Sequence, residues 1–122
     1  MKHEEDSIQK ALFQWIRLAT PRIPQLALAF HCPNGGRRDA REAARLKGLG
    51  VRAGVPDVMI PGKSADGNFY GIAIELKSAK GRLTDEQLGW SVRLRSVGWR
   101  CGVCHSFDEA RQTIADYFGV KP

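Results

Sequence analysis

Residues 69–77, FYGIAIELK, constrain the fold of this chain more than any other segment. Tyr70, Ile72, Ile74 and Leu76 alternate with Gly71, Ala73, Glu75 and Lys77, the period-two pattern of a β-strand with two unlike faces. One face is large and apolar and belongs against a core. The other carries two residues too small to fill a core, then a carboxylate and an amine, which predicts a cleft. Such a strand requires helices over its apolar face and open space over the other.

The flanking segments supply those helices. Apolar residues at 8, 11, 12, 15, 16 and 19 define one helical face, and Pro21 ends that helix. The apolar run 26–30 reads as a short strand, closed by Pro33, Asn34, Gly35 and Gly36. Asp39 is placed to cap a second, basic helix that stops near Gly48 or Gly50. Residues 55–60 read as a strand entered through Pro56. Thr84 with Gln87 forms a capping box for a third helix, with Leu83 and Leu88 as its hydrophobic staple and Gly98 at its end. Residues 99–104 form a last strand. Ser106 with Glu109 is a second capping box, opening a helix that carries Ala110, Ile114, Tyr117 and Phe118. The order helix, strand, helix, strand, strand, helix, strand, helix predicts an α/β sandwich with a mixed β-sheet flanked by helices.

The length of 122 residues fits one domain, 1–122, able to bury roughly 65% of its unfolded surface. No apolar run approaches the ~18 residues of a membrane span, and the polar start MKHEEDSIQK has no signal-peptide core. The expected location is the cytoplasm, where Cys32, Cys101 and Cys104, an odd number, remain reduced thiols.

The formal charge of +6 is concentrated. Arg37, Arg38, Arg41, Arg45, Lys47 and Arg52 stand against only Asp39 and Glu42, a local excess of +4 on one short element. This is a candidate phosphate-contacting surface and points to a polyanionic partner.

Glu75 and Lys77, two apart on a strand, project from the same face. Asp57 begins the preceding strand behind Pro56, and a hairpin would bring it beside Glu75. Two carboxylates in one pocket repel unless a cation joins them, and oxygen donors suit Mg²⁺ or Mn²⁺. The backbone carbonyl of Leu76 is a candidate third ligand. Lys77 is placed to orient an attacking water or to neutralise a transition state.

These pieces together resemble a known family. Gly54-Val-Pro-Asp57, Ile74-Glu-Leu-Lys77 and the segment KGRLTDEQ ending at Gln87 are similar to the VRR-NUC branch of the PD-(D/E)XK nucleases. Glu5-x-x-Ile8-Gln9 upstream and the final strand and helix downstream extend the likeness over nearly the whole chain. The resemblance implies a restriction-endonuclease-like core and divalent-metal cleavage of phosphodiester bonds. It assigns Asp57 and Glu75 as metal ligands, Lys77 as the catalytic lysine and Gln87 as a supporting residue on the next helix. Glu5 is carried over as a carboxylate that reaches the metal directly or through water. Helical geometry alone places Glu4 and Glu5 at similar angles, and only the match to Gln9 selects Glu5. A catalytic Gln87 and its capping role are expected to coexist only if the side chain does not fold back.

Stand-alone, phage-type members of the family act on branched DNA such as four-way (Holliday) junctions, as homodimers. Two-fold cutting of a symmetric junction needs two active sites, hence a dimer. The expected function is therefore a structure-selective DNA endonuclease. Flap or nicking cleavage is the alternative within the enzyme class, and a non-catalytic DNA-binding module on the same fold is the alternative outside it. That module is expected to lack a carboxylate or the lysine, and here all are present.

Several other signals are set aside. Cys101-Gly-Val-Cys104-His105 matches a haem-attachment motif but lies at a strand end in a chain without an export signal. A zinc site drawing on these residues with His31 and Cys32 requires two thiols three apart on a strand, which point to opposite faces. His3 reads as a frayed terminal residue. Trp15, Trp90 and Trp99 could stack on unpaired bases, but at their spacing they fit core or interface positions; Asn34 could contact the backbone near the site, but it fits a turn.

Overall fold

The computed structural model describes residues 2–33 and 39–122. Helix α1 (Lys2–Ala19) leads through a short 3-10 turn (Pro24–Leu28) to α2 (Ala40–Gly48). Strands β1 (Val58–Pro61) and β2 (Gly71–Leu76) follow, then α3 (Asp85–Ser96), β3 (Trp99–Cys104) and α4 (Phe107–Phe118). The sheet order is β1-β2-β3.

All six residues of β2 are buried, so this strand occupies the centre. β1 runs antiparallel to it, with Val58 opposite Ile74 and Ile60 opposite Ile72. β3 runs parallel, with Ala73 opposite Cys101 and Leu76 opposite Cys104. Parallel neighbours need a crossover, and α3 supplies it. The chain is thus mixed α/β, a three-stranded mixed sheet flanked by helices, as the element order predicts.

The apolar face of β2 (Ile72, Ile74, Leu76) packs with Leu12 and Ile16 of α1, Ile114, Tyr117 and Phe118 of α4, and Val58 and Ile60 of β1. Burying side chains of this size contributes about 1.5–3 kcal/mol each. Helix α3 covers the other face, where Ser91 approaches Cys101.

Capping fixes the helix entries. Asp39 accepts the Glu42 N–H at 2.8 Å. Thr84 and Gln87 form the reciprocal box. At α4 only half of the expected box forms. Ser106 accepts the Glu109 N–H, but Glu109 reaches the His105 N–H at 3.0 Å instead of that of Ser106.

Three expectations are corrected. Residues 26–30 are not a strand: Pro24 opens a 3-10 turn, Leu26 alone is buried there, and only Phe30 pairs with Met59. Tyr70 precedes β2 and is 60% exposed, its ring lying against Gly98 and not against the core. Gly71 does not line a cleft, because the Trp99 indole covers it and a Cβ there would sit 2.5 Å from the ring. Among the described residues, no helix is long and apolar enough to cross a membrane.

Candidate active site

The non-apolar face of β2 holds its two ionisable groups in unusual seclusion. Glu75 is 7% exposed and Lys77 9%, and among the described residues the other buried polar side chains are only Ser64 and Ser91. A buried carboxylate requires partners, and Glu75 has several. Its carboxyl is hydrogen-bonded to that of Asp57, and its Oε1 accepts from Gln87 Nε2 at 3.1 Å. Burial, then the hydrogen bond and charge of Asp57, push its pKa up to about 9; Lys77 opposes the shift and Glu5 adds to it. The small residues Ala73 and Ser91 leave a cavity of about 60 Å³ beside Glu75 and Gln87.

Asp57 reaches this position because it immediately precedes β1. Its Oδ2 accepts the Leu76 N–H at 2.8 Å, which locks the loop to the central strand. His31, weighed in the sequence only for a zinc site, approaches the Asp57 carbonyl oxygen with Nδ1 at 2.7 Å. Gly54 supplies a second anchor. It sits at φ +83°, and a Cβ would lie 2.8 Å from the Glu86 carbonyl carbon, so only glycine lets this loop press against α3.

The first-helix glutamates both reach the strand's end. Glu5 Oε2 accepts the Ser78 N–H and Glu4 Oε1 the Ala79 N–H, each at 3.3 Å. Of the two, Glu5 is the one whose charge acts on Glu75. The aliphatic stem of Lys77 packs beside Gly81, whose added Cβ would meet Lys77 Cβ at 3.1 Å. Gln87 does fold back: Oε1 accepts the Thr84 N–H at 2.9 Å. Its Nε2 still reaches Glu75, so capping and site contact coexist after all.

Asp57, Glu75, Lys77, Gln87 and Glu5 thus converge at the end of β2. Among the described residues no group of three or more His, Cys, Asp or Glu side chains is placed to hold a metal ion by itself. Mg²⁺ does not need one, since one or two carboxylates plus substrate phosphates commonly hold it. Two carboxyl groups in hydrogen-bond contact, one of them driven towards protonation, are a donor set that a dication fits. Asp57 and Glu75 would hold it, with the Leu76 carbonyl and Glu5 as the remaining candidate oxygens. Cys101 faces Ser91 of α3 while Cys104 faces Thr113 of α4, on opposite sides of the sheet.

Of the basic cluster, Arg41, Arg45 and Lys47 lie on α2, a helix with no buried residue, and Arg52 follows it. Arg45 is paired with Glu42 at 2.8 Å. Arg37, Arg38 and Asn34 lie outside the described residues.

Comparisons with known proteins identify the family and the fold. The model of the VRR-NUC domain family matches residues 2–108. A solved structure described as a VRR_NUC domain protein superposes with a TM-score of 0.76 at 25% identity, covering 96% of this chain and 89% of that one. No curated protein matches the sequence.

Proposed function

We infer that this chain, which belongs to the VRR-NUC domain family, is a divalent-metal-dependent DNA endonuclease selective for branched structure. Family membership carries nuclease activity on DNA. The four-way junction as favoured substrate and the homodimer as working unit extend this reading, and rest on the likeness to compact stand-alone members. The observation that carries the catalytic reading is the buried Glu75, with the partly exposed Asp57 acting on its carboxyl, beside the buried Lys77.

A divalent cation supplies Lewis-acid polarisation of the scissile phosphate and charge to offset the developing anion. The protein's own groups do the rest. Asp57, tied to the Leu76 N–H, and Glu75, oriented by Gln87, present their carboxylate oxygens in a fixed arrangement. Lys77 holds its ammonium on the same strand face, where it orients the attacking water and stabilises charge on the phosphoryl oxygens. Glu4 and Glu5 pin the Ser78 and Ala79 backbone and so hold the strand end that carries Lys77.

The test is cleavage of end-labelled four-way junction, flap and linear duplex DNA with Mg²⁺ or Mn²⁺. Paired symmetric cuts in the junction by a dimer are expected. Cutting of flap arms alone would replace junction resolution with the flap reading. A protein that remains monomeric on junction DNA would also contradict resolution. Salt-sensitive binding without any metal-dependent cutting would leave a DNA-binding module.

A further inference from the structure

We propose that Trp90, flanked by Arg52 and Arg93, is a stacking site for an unpaired base of the DNA strand beside the active site. The proposal rests on the reading of the chain as a DNA nuclease. The three tryptophans differ sharply in their surroundings. Trp99 covers Gly71, and Trp15 packs against the core. Trp90 does neither. It is half-buried on α3, one helical turn beyond Gln87, which touches Glu75. Its Nε1–H donates to the Ala53 carbonyl at 2.9 Å. The indole's polar group is therefore satisfied, and its π-surface, contacted by two arginine side chains, is the part left for a ligand.

Two guanidinium groups converge on that ring, Arg52 Cζ at 5.7 Å and Arg93 Cζ at 5.8 Å from its centroid. Among the described residues neither has a carboxylate ion-pair partner. Two unpaired cations gathered on one indole repel each other, and a phosphate between them relieves that repulsion. They border an open concavity of about 450 Å³ lined also by Lys47 and Glu86, within the size range of small-ligand sites. Trp90 also lines a second, mainly apolar concavity of about 510 Å³ with Phe30, Val55 and Met59. A base stacking on the indole takes the place of a guanidinium now lying over the ring, and the displaced cation then meets the phosphate linked to that base.

The base must be unpaired. Within a duplex both faces of a base are covered by its neighbours, and exposing one requires unstacking. The position fits a strand whose scissile phosphate lies at Glu75, because Ala53, which holds the indole, lies four residues before Asp57.

The test is binding of fluorescein-labelled forked DNA in EDTA, where no cleavage occurs, with a single abasic nucleotide moved along the unpaired arms. The wild-type protein, Trp90→Phe and Trp90→Leu are compared. Wild type is expected to bind about tenfold more weakly when one arm position near the fork is abasic. Trp90→Phe keeps that sensitivity. Trp90→Leu binds intact fork about tenfold more weakly and is indifferent to the abasic position. A flat abasic scan with wild-type protein would overturn the proposal, even if Trp90→Leu failed to fold. Persistent abasic sensitivity in a folded Trp90→Leu would also overturn it, leaving the indole only the task of holding the 51–54 loop on α3. Because binding is read without metal, this outcome is independent of whether the chain cleaves.

Discussion

Gln87 donates Nε2–H to Glu75 Oε1 at 3.1 Å while the oxygen of the same amide accepts the Thr84 N–H at 2.9 Å. One side chain therefore sets the start of α3 and the orientation of a buried carboxyl together.

The two tasks separate by mutation. Thr84→Ala removes the cap and is expected to cost about 1 kcal/mol of stability with cleavage retained. Gln87→Ala also frees Glu75, and cleavage is expected to fall roughly 10- to 100-fold, the effect typical of losing a residue that orients a metal ligand. Thermal melts and cleavage rates on one DNA substrate check both. Equal loss of activity in the two variants would mean that Gln87 acts only through the helix.

Much of this site was legible in the sequence because it rests on short-range regularities. The two-residue period of 69–77 put Glu75 and Lys77 on one face, and the spacing of Thr84 and Gln87 marked the α3 entry. The contacts that seclude the site were not legible, since they join residues far apart in the chain. His31 meets the Asp57 carbonyl across 26 positions, and Gly54 meets Glu86 backbone by close approach. The small size of Gly71 suggested a cleft when its cause is the Trp99 ring, because an absent side chain reads alike whether it admits solvent or a neighbour. The 26–30 run failed for another reason. Its short apolar run suited a strand, but β1 offers it pairing only at Met59, and Pro24 favours a tight turn.

Glu75 makes the metal-free protein pH-sensitive. With a folded pKa of about 9 against an ordinary value of 4.5, the folded state retains a proton that the unfolded chain has released. Stability from this group therefore falls as pH rises from about 4.5 to about 9. Glu75→Gln keeps a donor towards Asp57 and an acceptor for Gln87, and removes that fall. In EDTA near pH 8.5 its Tm is expected to exceed wild type by roughly 5 °C, the shift that about 1 kcal/mol gives a domain of this size. Near pH 5 the difference should shrink. Mg²⁺ should raise the wild-type Tm more at the higher pH, where fewer protons must be displaced.

Gly54→Ala places a Cβ against Glu86 at a positive φ. A loss of about 1–3 kcal/mol is expected. Cleavage should fall along with it, because the displaced loop carries Asp57. Denaturant unfolding and activity at a temperature where the variant is folded check both. An unchanged midpoint would show that the loop is not held by this contact.

The basic surface is tested by salt dependence. If Lys47 and Arg52 each neutralise one phosphate, replacing either by alanine should lower the slope of log binding constant against log salt by about 0.9, and both together by about 1.8. Arg45→Ala should change it less, since Glu42 already pairs with that guanidinium. Slopes unaffected by Lys47 and Arg52 would place the DNA on another face.

The most direct measurement is cleavage of labelled four-way junction DNA in Mg²⁺ by wild-type protein, Glu75→Gln and Lys77→Ala, with binding followed in parallel. Wild type should cut, and both variants should lose cleavage by at least about 10³-fold, as removal of charge stabilisation at a reacting phosphate does, while still binding the junction. Variants that cut as fast as wild type would contradict the assignment of the Asp57, Glu75 and Lys77 cluster as the active site.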